Sequence, residues 1–229
     1  MQRKMLNDLR LVWDLPTRLF HWLLVLSIIG SYTTAKLGTE WMPWHIRLGL
    51  FMIGMLIFRV VWGLVGPRHA RFINFIKGPG SMLAYLKGGI RSVGHNPWGG
   101  GMVVLMLLLL VLQVTTGLFS TDDIVYTGPY YPSVSHDLAE KLTGIHHKNF
   151  NFILAAIALH LCAIVYYTFV KKERLVPAMF HGHKAAEYVP SHEAILSSQL
   201  WKALIVIAFA GACVFWLWHA APPPASVEY

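Results

Sequence analysis

Five long apolar runs dominate this chain, at residues 19–35, 45–64, 102–119, 150–170 and 200–218. Each is long enough to cross a hydrocarbon core about 30 Å thick, allowing for ends that merge into the interface. Lipid offers the backbone no hydrogen bonds, so a spanning run must close its own and becomes a helix. A barrel would alternate apolar and polar residues, whereas residues 103–114 are almost unbroken Val, Leu and Met. The expected fold is therefore an all-α integral membrane protein.

Composition agrees. The chain has 229 residues, 55% hydrophobic and 13% charged, with mean hydropathy +0.51. This length suits one compact membrane domain, residues 1–229. The net charge is +8, which in a soluble protein would suggest nucleic acid. Here the basic residues lie between apolar runs, where they set topology and meet anionic lipid, so no nucleic-acid partner is expected.

Three regions hold thirteen of the nineteen Lys and Arg: Arg3, Lys4, Arg10 and Arg18; Arg68, Arg71, Lys77, Lys87 and Arg91; Lys171, Lys172, Arg174 and Lys184. Alternate loops share one side, which puts the N-terminus in the cytoplasm and the C-terminus outside. The first run, with His21 and poor cleavage chemistry around residues 31–35, reads as a span rather than a signal peptide. The inner loop at 66–101 carries turn chemistry such as Gly78-Pro79-Gly80 and Gly88-Gly89, with a short interfacial helix expected at 81–86. The tail holds Pro222-Pro223-Pro224. The outer loop at 120–145 carries Asp122, Asp123, Asp137 and Glu140 with Tyr126, Tyr130 and Tyr131. Cys162 and Cys213 lie inside apolar runs and form no C-x-x-C-H motif, so covalent haem attachment is unsupported.

Histidines carry the chemistry. His146 and His160 are fourteen residues apart, so on one helix they face within about 40° of each other and stand about 21 Å apart along its axis. His21 and His45 lie near the starts of the first two runs. Antiparallel packing puts His21 at the depth of His160, and His45 at the depth of His146. Neutral imidazole is a common axial ligand to haem iron, and such a pair of pairs can hold two haems, one above the other. His147 adjoins His146 but points about 100° away, leaving His146 preferred with His147 as the alternative. Ala156 and Ala163 flank His160, and Gly49 follows His45 by a turn, leaving room for a flat macrocycle. Arg59 repeats the fourteen-residue offset from His45. It either meets a haem propionate near the inner pair or snorkels to the interface. His69, His95, His136, His181, His183, His192 and His219 lie in loops or at ends and are expected to be mostly solvated. His181-Gly182-His183 alone is a weak metal site. Nothing in the chain suggests hydrolysis, phosphoryl transfer or nicotinamide binding.

The segment Val12-Trp13-Asp14-Leu15-Pro16-Thr17-Arg18-Leu19-Phe20-His21-Trp22 resembles the opening of bacterial cytochrome b561 proteins, particularly relatives of the di-haem cytochrome b subunit of nickel–iron hydrogenases. Residues 59–72, from Arg59-Val60-Val61-Trp62-Gly63 to Arg68-His69-Ala70-Arg71-Phe72, are similar to that family's segment after helix two. Thr143-Gly144-Ile145-His146-His147 and Leu159-His160 resemble its fourth helix. The resemblance spans residues 11–182. It implies four core transmembrane helices in a bacterial cytoplasmic membrane and two non-covalent b haems. His21 and His160 would hold the cytoplasmic-side haem, and His45 and His146 the external one. The run at 200–218 is then an additional, fifth C-terminal helix.

The expected function is a one-electron relay across the membrane, an electron-transfer subunit rather than a stand-alone enzyme. Its partners would be a quinone pool and a periplasmic redox protein, either a c-type cytochrome or a hydrogenase-like enzyme. One rival is an oxidoreductase acting at the outer haem on quinol or superoxide, which needs a pocket near residues 126–131. Another, a haem-free transporter lined by histidines, is disfavoured because the spans lack deeply placed carboxylates. A third is a structural anchor indifferent to histidine replacement.

Overall fold

The computed structural model describes residues 9–88 and 92–223. Arg3, Lys4, Gly89, Arg91 and Pro224 lie outside the described residues. In chain order the elements are β1 (Leu9–Leu11), α1 (Leu15–Leu37), α2 (Met42–Val65), α3 (Phe72–Phe75), α4 (Pro79–Leu86), α5 (Pro97–Gly117), α6 (His136–Phe169), α7 (Leu175–His181), β2 (His183–Ala185) and α8 (Leu200–His219), with single 3-10 turns between some of them. The five long helices cover the five apolar runs, and α4 covers the expected interfacial helix.

Four stretches are long and apolar enough to cross a membrane: Thr39–Val65, Pro97–Gly117, His136–Phe169 and Leu200–His219. Helix α1 has 23 residues but stands outside that group. Arg18, His21, Ser27, Ser31, Thr33, Thr34 and Lys36 dilute its hydropathy. Large apolar side chains cover the outside of these helices: Leu26, Leu108, Phe152, Phe169 and Leu204 are all exposed. Soluble proteins rarely leave contiguous apolar patches of that kind in water, and lipid is the solvent that tolerates them.

The chain divides into two compact units. The first comprises Met1–Trp22, Arg59–Leu105 and Ala156–Val206. Its polar centre is Asp14, fully buried. Asp14 caps α1: the Thr17 amide donates to Oδ1 at 2.9 Å and the Thr17 hydroxyl to Oδ2 at 2.7 Å. The indole N–H of Trp62 donates to the same Oδ1 at 3.0 Å, tying α2 to the start of α1. β1 pairs antiparallel with β2, in the register Leu9↔Ala185, Arg10↔Lys184 and Leu11↔His183. The amides of Val12 and Trp13 then both donate to the Gly182 carbonyl, at 2.9 and 3.0 Å. Val12, Trp13, Ala178 and Val189 form a small core beneath this ribbon. At the start of α5, Asn96 Nδ2 donates to the Tyr167 hydroxyl at 2.8 Å, and that hydroxyl lies 3.0 Å from the Tyr85 hydroxyl.

Gly182 ends α7 in the left-handed region at φ 87°. A Cβ there would stand 2.6 Å from the Trp13 carbonyl oxygen. Gly182→Ala is expected to cost about 1–2 kcal/mol from the backbone alone, and more from the clash. Hydrogen exchange of the β1 and β2 amides, faster in the variant, checks this.

The second unit comprises Leu23–Phe58, Met106–Ala155 and Ile207–Tyr229. α6 begins at His136, well before the apolar run at 150, so the outer loop is shorter than the sequence implied. Ser135 accepts the Leu138 and Ala139 amides on its carbonyl, and Asp137 sits in the first turn. The loop is pinned by Tyr130, whose hydroxyl donates to the Leu217 carbonyl at 2.7 Å, and by Thr143, whose hydroxyl oxygen accepts the Thr121 amide at 3.0 Å. Asp122 Oδ1 gathers the amides of Ile124, Val125 and Tyr126. Asn149 Nδ2 bridges the Leu109 carbonyl and Gln113 Oε1, fastening α6 to α5.

Candidate functional site

In the first unit, α1 presents His21 and α6 presents His160. Their ring centroids are 6.5 Å apart with planes inclined at 53°. His21 Nδ1 is sealed from solvent and has no hydrogen-bond partner. Trp22 packs edge-on against the His21 ring, and its indole N–H holds the Met179 carbonyl at 3.2 Å. Ala156, a turn before His160, is buried, whereas Ala163 is exposed.

In the second unit, α2 presents His45 and α6 presents His146, with centroids 6.2 Å apart and planes at 77°. Both rings are oriented through Nδ1. His45 Nδ1 lies 2.9 Å from the Ser31 carbonyl, and His146 Nδ1 lies 2.9 Å from the Gln113 carbonyl. A carbonyl can only accept, so each Nδ1 carries the proton and each Nε2 keeps its lone pair. Ser31 sits on α1 and Gln113 on α5, so four helices set this pair. Gly117 makes the approach possible: a Cβ there would stand 3.0 Å from His146 Cε1. His147 is exposed, and the ring that meets His45 is that of His146.

Arg59 is only 3% exposed. Its Nη1 donates to the Ala70 carbonyl at 3.2 Å, and Cζ lies 4.8 Å from the Phe72 ring and 5.8 Å from that of Phe75. The segment after α2 has folded over it. Among the described residues no carboxylate lies within ion-pair distance of it.

Two loop histidines depart from the solvated expectation. His69 is buried and its Nε2 lies 2.8 Å from the Glu193 carbonyl. Burial holds its pKa below the ordinary imidazole range, although Glu193 pulls it upward. His95 packs edge-on against Trp13 at 4.7 Å and tilts onto Phe75 at 4.6 Å. Its Nδ1 is sealed and unpartnered. Both sit among Gly, Pro and Arg, and Trp13, which covers them, is far away in the sequence, so no local signal marked them.

The remaining loop histidines are more open. His181 and His183 bond to each other's backbone. His192 is exposed, His219 Nδ1 meets the Phe215 carbonyl, and His136 lies 3.8 Å from both Asp123 and Glu140. Among the described residues no group of three or more His, Cys, Asp or Glu gathers as a metal site. The outer loop borders an open hollow of about 610 Å³, lined by residues that include Asp122, Tyr126, Tyr131 and His136.

Neither the curated proteins nor the solved structures include a match to this chain. A family model described as prokaryotic cytochrome b561 matches residues 12–182, three quarters of the length and both histidine pairs. Apolar spans, paired imidazoles and this match agree, and the chain belongs to the prokaryotic cytochrome b561 family, membrane b-type haem proteins of electron transfer.

Proposed function

We propose that this chain is a di-haem cytochrome b that relays electrons across the bacterial inner membrane, between a quinone pool and a periplasmic redox partner. The observation that carries this reading is the spacing of the two imidazole pairs. A metal–imidazole bond is about 2.0 Å and the nitrogen lies about 1.1 Å from its ring centre, so an axial pair across one iron sets its centroids about 6.2 Å apart. The ring separations of 6.5 and 6.2 Å fit that requirement. Haem b also needs neutral imidazoles with a free Nε2, and the Ser31 and Gln113 carbonyls set that tautomer at the second pair. Arg59 is a buried cation available to a propionate of the first haem.

When bound, haem supplies a one-electron ferric–ferrous couple. His21 with His160, and His45 with His146, would hold the haems, and the chain's part is to exclude water and fix ring orientation. Histidines on both sides would leave oxygen no open site. The reading includes five spans, α1 among them, with a cytoplasmic N-terminus and an external C-terminus, on the strength of the Lys and Arg distribution. It places the His21–His160 haem on the cytoplasmic side and the His45–His146 haem outside. The external partner is a c-type cytochrome or a hydrogenase-like enzyme.

A second reading draws on the hollow behind Tyr126 and Tyr131. A small substrate such as quinol or superoxide bound there would make the outer haem an oxidoreductase site.

Proteoliposomes test the proposal. The chain is reconstituted with ferricyanide enclosed and decylubiquinol added to the membrane. Ferricyanide loss well above that of protein-free vesicles is expected, and a rate equal to theirs overturns the relay. Tyr126→Phe with Tyr131→Phe leaves the rate unchanged if the hollow has no catalytic part, and abolishes it under the second reading.

Gly117 offers a local check. Gly117→Val puts methyl groups where His146 Cε1 now lies and turns the ring away from His45. Haem quantitation should fall from two per chain to one, with the protein still folded by circular dichroism.

A further inference from the structure

His95 is a half-buried imidazole, its Nδ1 sealed, that the relay leaves unused. Its backbone is pinned from both sides. Asn96 Oδ1 accepts the Gly99 amide at 2.7 Å as α5 begins, and Asn96 Nδ2 holds Tyr167. On the other side a Cβ on Gly94 would stand 2.8 Å from His69 Nδ1, so the chain passes there only without a side chain. The His95 ring is thereby pressed between Trp13 and Phe75. Its sealed Nδ1 lacks a partner, a costly arrangement unless something absent from the bare polypeptide fills it.

The surroundings name the kind of group. Phe75 is a shared wall, with the His95 ring on it at 4.6 Å and the Arg59 guanidinium at 5.8 Å. Burial, and then the charges of Arg59, His69, Lys184 and His160, push the His95 imidazole down to about 3. Lys184 spends one N–H on the Val93 carbonyl at 2.8 Å. Asp14, the buried carboxylate of this unit, is occupied by Thr17 and Trp62. The pocket therefore gathers cationic and N–H groups; Asp14 acts on Arg59 only at longer range, and among the described residues no carboxylate lies within ion-pair distance of Arg59 or Lys184. Asn96, next to His95, bonds Tyr167, which lies two turns along α6 from His160, so the pocket belongs to the same unit as the first imidazole pair.

We propose that His95 and Arg59 together bind a carboxylate of the haem held by His21 and His160, His95 giving a ring N–H and Arg59 a guanidinium N–H. This rests on the di-haem reading above. Haem carries two propionates at one edge, and a charge-assisted bond from each donor would satisfy both buried groups at once. Donors on a propionate withdraw its negative charge from the iron. Removing one favours the ferric form and lowers the potential of that haem alone.

Potentiometric titration of the purified holoprotein tests this, using His95→Leu, which removes the donor, and His95→Gln, which keeps an N–H. The affected haem is the one missing from His21→Ala. In His95→Leu its ferric-to-ferrous ratio at fixed potential should rise about tenfold, about 59 mV for one electron. His95→Gln should recover most of the shift, and the other haem should not move. Unchanged potentials in His95→Leu, with both haems retained, overturn the anchor. Equal haem loss in Leu and Gln variants also overturns it, since that marks a packing role. A wild-type chain without haem sinks the di-haem reading itself, a distinguishable result.

Discussion

His21→Ala should leave a purified chain with one b haem, and His45→Ala should leave the other one. The rings pair strictly within their own units, His21 with His160 and His45 with His146. Under the di-haem reading, loss of either partner would remove one of the two imidazoles that hold a haem. Non-covalent haem depends on those imidazoles for retention, so the content per chain falls by half in each single variant and to none in the double variant. The surviving haem differs between the two variants in potential and in its low-temperature absorption band. Retention of both haems in both variants would refute the pairing. His147→Ala is the control: its exposed ring has no place in the pair, and haem content stays at two.

Asp14→Ala is expected to be the most destabilising substitution in the first unit. Its carboxylate receives three hydrogen bonds, and both Asp14 and Trp62 are fully buried. Alanine strands the Trp62 indole N–H and the Thr17 amide without water to replace the acceptor. Each stranded donor costs about 1–3 kcal/mol, and loss of the cap adds about 1 kcal/mol. Together that is about 3–7 kcal/mol, a large share of the stability of most domains. Thermal unfolding in detergent should show it directly. Asp14→Asn keeps one acceptor oxygen and should be milder. Equal melting of wild type and Asp14→Ala would contradict the arrangement.

The long helices were legible because hydropathy and backbone satisfaction in lipid leave few alternatives. The fourteen-residue offset between His146 and His160 puts both on one face of α6, and each ring meets a histidine of another helix within its own unit. Three-residue strands carry no periodicity, so the β1–β2 ribbon left no mark; its register depends on Gly182 receiving two amides from the far end of the chain. The start of α6 was missed because its first turns are polar, although Ser135 followed by Asp137 is a helix-start signal. Burial of His69 and His95 was hidden for a different reason. Loop residues are read as solvated by default, and only tertiary packing of Trp13 and Phe75 covers them. Arg59 had two readings in the sequence; the structure encloses it beneath Phe72 and Phe75 with the Ala70 carbonyl as its hydrogen-bond partner.

The most direct test of the central claim is a cryo-electron microscopy map of the detergent-purified chain. A planar macrocycle is expected between His21 and His160 and a second between His45 and His146, each with iron density on the line joining the two rings. A map in which either pair of rings closes on itself with no iron between them would contradict it.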